Sequence, residues 1–179
     1  MSDDEVAEPA TGVLDAFSPG VTRQVVERVG PVPTHTVTVD NYVGARAAIE
    51  PAALLWGTDL DVDRLEELNA EGRVAIEEED DDLFIAVNQA FHHVVLAAMG
   101  SKTLGDTMDQ LDAFLRLATL PILEHDPSFN RRFIEVNEHI VELVQSGDRQ
   151  AASDYLQVQL MKQAEAIIEM IEKINNGTV

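Results

Sequence analysis

The sequence predicts an all-α fold, an antiparallel bundle of about six to seven helices. Two observations carry this. From Asp40 onward, bulky apolar residues recur three and four positions apart, the spacing that lines one face of a helix. Between these segments stand Gly, Asp and Ser where caps and short turns need them. No internal repeat and no strand alternation of any length competes with the pattern. Short connections between helices three to six make neighbours antiparallel.

The totals bound the rest. At 179 residues a single domain is expected, and 45% hydrophobic residues suffice for a core. Cys is absent, which excludes disulfides, thiolate chemistry and Zn–Cys sites. No apolar run approaches the roughly 18 residues of a membrane span, so no membrane partner is expected. The start, Met1 to Glu5, is acidic and unlike a signal peptide, which makes cytoplasm the expected compartment. Thirty-three acids face twelve bases, a net charge of −21, and the only lysines are Lys102, Lys162 and Lys173. Such a surface repels phosphates, so this chain alone is not expected to bind nucleic acid. Acid-rich, Lys-poor and normally apolar, it looks like a halophilic protein from a high-salt cytoplasm. The alternative is an ordinary acidic protein.

Residues 1–38 read as an acidic, partly disordered segment. Residues 13–17 could dock as one turn, and residues 21–29 form a candidate short helix. Pro31 and Pro33 force an extended stretch. Thr34 to Val39 alternates and reads as strand-like or extended. Residues 39–176 read as the helical domain. Helix one runs from about Asp40 to Trp56, with Pro51 expected to bend it. Helix two starts at Asp61 or Asp63 and is weakened by Gly72. Residues 77–82 are six consecutive acids, a solvated loop whose last Asp residues cap the next helix. They lack the Gly and ligand spacing of a calcium loop. Helix three is the run from Leu83 to Met99, closed by Gly100. Ser101 caps helix four, which Pro121 kinks or ends. Helix five begins near Asp126-Pro127-Ser128 and carries Phe129 and Phe133. Asp148 caps helix six, which runs to Asn175-Asn176-Gly177. Trp56 and Tyr155 read as core or interface anchors.

The centre of the chain is Asn88-Gln89-Ala90-Phe91-His92-His93. Asn88 and His92 are four apart and share one helical face with core residues. Polar groups facing a core need partners. His93, His125 and His35 read as surface or satisfied groups.

At this point the residues resemble a family. From about Asn41 to Gln163 the chain is similar to the C-terminal ligand-sensing domain, the FCD domain, of FadR-type members of the GntR transcription regulators. Arg46-Ala47-Ala48-Ile49-Glu50-Pro51 resembles that family's Arg-x-x-(Ile/Leu)-Glu-Pro opening. Asn88-Gln89-Ala90-Phe91-His92 resembles its Asp-x-x-Phe-His signature. Gly100-Ser101-Lys102-Thr103-Leu104 resembles the Gly-Asn-x-x-Leu turn that follows. Asn137 to Leu160, around Gly147-Asp148, has the spacing of its last two helices.

The resemblance implies a site in the bundle core, where many members hold a divalent metal on one Asp and three His. The positions that match are Asn88, His92, Asn137 and Gln159. His139 is rejected as the third, because that register puts Glu142 among apolar positions. Three of the four would then be neutral amides, and transition metals favour imidazole or anionic ligands. No cofactor is therefore expected, and tight Zn, Ni or Mn binding is disfavoured. Amides carry both donors and acceptors. Asn88, Asn137 and Gln159 around His92 would suit a small organic acid, with Arg46 as its cation and Arg116 as a second candidate. Beside this stand plainer readings: a closed hydrogen-bond network of amides, an Arg46–Glu50 pair along one helix, and a structural Arg116.

The function expected is an effector-binding module for a small carboxylate. The family's winged-helix DNA-binding domain takes more residues than the roughly 40 before helix one, so none is evident. The resemblance implies a homodimer or a partner regulator. A structural or dimerisation adaptor with a closed pocket is the alternative. An enzyme using His92 as general base with Arg46 lacks a nucleophile or acid pair at informative spacing; the chain is not expected to be an enzyme.

Overall fold

A computed structural model of the chain describes the backbone of residues 36–178 and the side chains from Tyr42 onward, apart from several between Phe114 and Asn130. The readings of residues 13–17, residues 21–29 and His35 lie outside the described residues. Among the described residues six α-helices appear: α1 Thr36–Trp56, α2 Val62–Glu77, α3 Asp81–Ala97, α4 Lys102–His125, α5 Ile134–Gln145 and α6 Arg149–Asn175. A 3₁₀-helix, Pro127–Phe133, joins α4 to α5. No strand occurs among the described residues. The fold is the predicted all-α bundle.

The helix boundaries follow caps. Asp61, Asp80, Ser101 and Asp148 each accept a backbone N–H three residues on, at 3.0, 2.9, 3.4 and 2.9 Å. Gly100, Gly147 and Gly177 turn the chain with positive φ after α3, α5 and α6. Glu79 does the same after α2 at φ 58°, where a Cβ is unwelcome.

Four expectations are corrected. The alternating stretch is helical from Thr36, so α1 starts a turn early. Propensity is a weak prior, and four β-branched or charged residues cannot stop a helix that packs further on. Pro121 does not end α4, which continues to His125. Phe129 and Phe133 lie in the 3₁₀-helix and not in α5; Phe129 is fully buried there, with the Arg132 guanidinium 4.5 Å above its ring. Trp56 is no core anchor, being 68% exposed.

Gly72 has a packing role. A Cβ there would sit 2.9 Å from Ile134 Cδ1, so its absence lets α2 approach α5. Arg73 and Glu138 tie the same two helices through an ion pair. The main core joins all six helices through residues such as Leu54, Leu65, Phe91, Met108, Ile140 and Leu156.

Candidate functional site

The site begins at Pro51. Proline has no N–H, so the Ala47 carbonyl four residues back loses its helical donor. Gln157 of α6 donates to that carbonyl at 3.4 Å. Ser153 of α6 donates to the Pro51 carbonyl at 2.9 Å. The proline thus sits where α6 crosses α1, and the two helices share their most extensive contact. This contact fixes the turn of α1 that carries Arg46 and Glu50.

Glu50 is fully buried. Its Oε1 accepts from Arg46 Nε at 2.6 Å, and its Oε2 accepts from His92 Nδ1 at 2.7 Å. Burial alone would push the Glu50 carboxyl up. The Arg46 charge, then the His92 interaction, outweigh it and hold the carboxyl down at about 2. Burial likewise opposes the Arg46 charge, and Glu50 first and Asp112 second restore it, leaving Arg46 raised. One anion therefore organises one cation and one imidazole. The His92 ring is fixed with Nδ1 turned to the carboxylate.

Two small cavities meet at Asn88, His92 and Gln163. The first, about 50 Å³, is also lined by Arg46, Gln89, Asp112 and Arg116, with Phe84, Ile85, Leu115 and Ile167 as apolar wall. The second, about 20 Å³, is lined by Asn137 and Gln159 with Phe133, Val136, Leu156 and Leu160. One water needs about 10–15 Å³ on this scale, so the first holds a few heavy atoms and the second one water. The six residues singled out from sequence all line one cavity or the other. Arg46 and Arg116 line the first, Asn137 and Gln159 the second, Asn88 and His92 both.

Their states differ from the open amide ring that the family resemblance implied. Asn137 Nδ2 donates to Asn88 Oδ1 at 2.8 Å, so these amides hold each other. Arg46 is committed through Nε, while its Nη2 is buried without a hydrogen-bond partner. Arg116 lies 3.5 Å from Asp82. His139 faces away, edge-on to Tyr155 with centroids 4.7 Å apart. His93 Nε2 donates to Asp112 Oδ2 at 2.9 Å. That hydrogen bond raises the His93 pKa against the effect of burial, and the nearby Asp109 adds to it.

Three lining residues escaped the sequence reading. Gln163 stands one turn beyond Gln159, a spacing that could have revealed it. Gln89, beside Asn88, offers a buried Oε1 with no donor. Asp112 is 2% exposed. Glu50 was seen only as a partner for Arg46, and its hold on His92 crosses 42 positions.

The model of the FCD domain matches residues 43–172. The chain belongs to the FCD domain family. A solved structure described as "a putative transcriptional regulator GntR from Rhodococcus sp. RHA1" superposes with a TM-score of 0.69 at 15% identity, covering 92% of this chain and 86% of that one. That likeness is one of fold. No curated protein sequence matches the chain.

The divalent metal that the family resemblance brings does not suit this FCD domain. Its donor set is one imidazole and three neutral amides. The imidazole turns Nδ1 to Glu50 and could offer a cation Nε2 alone, while two of the amides are spent on each other. Among the described residues, no group of three or more His, Asp or Glu side chains is placed to hold a metal. A set with one imidazole and no anionic ligand lacks the donors that transition cations favour.

Proposed function

We propose that this FCD domain is an effector-binding module that takes a small organic acid in the first cavity without a metal. The observation that carries it is Arg46. Its side chain is 4% exposed, it lines the cavity, and its Nη2 has no partner. Buried donors are rarely left unmade, so a group that completes Arg46 is favoured there. A carboxylate is the acceptor that best matches a guanidinium edge. Arg116 adds a second positive charge to the same wall. The acid is short, because the space is short. The acid-rich, Lys-poor composition supports a salt-rich cytoplasmic setting. It also supports a partner, a second copy or a DNA-binding regulator, for any contact with nucleic acid. Among the described helices, none is long and apolar enough to cross a membrane.

Thermal-shift measurement with a panel of short organic acids tests this, on wild type and on Arg46→Lys. Lysine keeps a counter-charge for Glu50 and removes Nη2. Stabilisation of wild type by an acid, lost in Arg46→Lys, is the expected result. Stoichiometric Zn, Ni or Mn in protein purified without chelator or His tag would overturn the metal-free reading.

A structural adaptor is the second reading. The Asn88–Asn137 hydrogen bond favours it, since it satisfies two lining amides of the second cavity with the protein's own groups. It predicts that no acid in the panel shifts the wild-type midpoint.

A further inference from the structure

The first cavity carries more than a place for an anion. Arg46 supplies a buried donor at Nη2. Gln89 supplies a buried acceptor at Oε1 that no donor reaches. Asp112, 2% exposed, adds a carboxylate whose Oδ2 is held by His93 at 2.9 Å. All three line the same space. A plain monocarboxylate would complete Arg46 only. It would leave Gln89 Oε1 without a donor and bring another anion beside Asp112 and Glu50. A hydroxy acid would give Gln89 a donor but would still add an uncompensated negative charge. A molecule with a carboxylate and an ammonium answers both needs and adds no net charge. The volume, about 50 Å³, confines it to a few heavy atoms.

We propose that the cavity binds a small zwitterion, an α-amino acid about the size of alanine, with its carboxylate on Arg46 and its ammonium on Gln89 Oε1 and Asp112. This rests on the reading of the cavity as an acid site and adds the group that selects among acids. Ordered water can bridge the same groups when the ligand is away.

Titration calorimetry on the full chain with L-alanine, L-lactate, propionate and ethylamine tests it. Lactate and propionate keep the carboxylate at nearly the same size and remove the ammonium, and the smaller ethylamine keeps the ammonium and removes the carboxylate. Alanine is expected to bind at least tenfold more tightly than the other three, the scale of a hydrogen bond to a charged group. Gln89→Met keeps the volume and removes the acceptor. It is expected to weaken alanine at least tenfold and leave propionate unchanged. Should that variant fail to fold, Asp112→Asn is expected to show the same loss. Lactate or propionate binding as tightly as alanine would overturn the zwitterion and leave the acid reading standing. Ethylamine matching alanine would overturn both. No binding by any of the four would overturn the zwitterion, and the wider acid panel with Arg46→Lys would then decide the acid reading by itself.

Discussion

Glu50 and the six acids of residues 77–82 are the same chemistry in opposite settings. Glu50 is a single carboxylate, fully buried, with Arg46 and His92 on its two oxygens. The run is loud in the sequence and lies at the α2–α3 turn, mostly exposed. Its contacts lie at the rim: Asp80 caps α3, Asp81 meets Arg131 at 3.1 Å, Asp82 lies 3.5 Å from Arg116, and Glu79 turns the chain. Surface charges face a high dielectric and contribute little each, while a buried charge is held or lost as a unit with its partners. The lesson is that one quiet acid at the centre outweighs six conspicuous ones at the rim.

Substitution should expose that contrast most sharply. Glu50→Gln leaves Arg46 buried without its counter-charge and is expected to cost about 3–5 kcal/mol in urea denaturation. Glu77→Gln is expected to stay within about 0.5 kcal/mol. Equal effects would break the contrast. Acid titration sharpens it further. The folded Glu50 pKa lies below its ordinary value of 4.5, at about 2. Its contribution, on the order of 3 kcal/mol, is therefore complete above the ordinary value and lost as pH falls towards 2. In Glu50→Gln that acid limb should flatten. His93 has the opposite sign: its raised pKa gives stability below its ordinary 6.5 that is lost as pH rises through the folded value. His93→Gln should remove that alkaline decline in a midpoint-against-pH series.

Smaller effects come from backbone positions. Gly57→Ala would put a Cβ 2.5 Å from the Ala53 carbonyl and 2.6 Å from Ala98 Cβ, and an expected cost of about 1–3 kcal/mol follows from overpacking. Within the acid run, Glu79→Gly relieves the positive φ and is expected to stabilise by about 1 kcal/mol. That gain would come from losing a charge-bearing residue, which no charge-pairing account of the run predicts.

Much of this was legible beforehand. The 3.6-residue period exposed all six helices, because each buries one apolar stripe. Ser101 and Asp148 announced their caps, Asp61 was one of two candidates, and the cap on α3 fell to Asp80 at the start of the Asp run, two residues ahead of its last member. Asn88 and His92 could be placed on one inner face by spacing, and the family resemblance added Asn137 and Gln159. What was not legible depends on contacts between helices. Glu50 read as a partner for Arg46 one turn along the helix, and its second partner, His92, shows only once α1 is packed against α3. Gln89 sits about 100° round the helix from Asn88, and spacing alone does not say that α4 approaches it. The Asn88–Asn137 bond was open in the sequence, since two amides can face a ligand or each other. Gly72 read as a weak point because its neighbour Ile134 is 62 positions away.

Gly57 has a mechanical consequence. There the end of α1 touches Ala98 at the end of α3, Thr58 N donates to the Ala98 carbonyl at 3.1 Å, and Arg149 at the start of α6 donates to the Gly57 carbonyl. Three helix ends are clamped at one point. Arg46 lies eleven residues away along α1, a lever arm of roughly 16 Å at 1.5 Å per residue. A tilt of about 5° about that fulcrum carries the guanidinium some ~1.4 Å, about half the length of a hydrogen bond. Thr36, the first residue of α1, stands about twice as far from that fulcrum as Arg46, so the same tilt would displace it about twice as far.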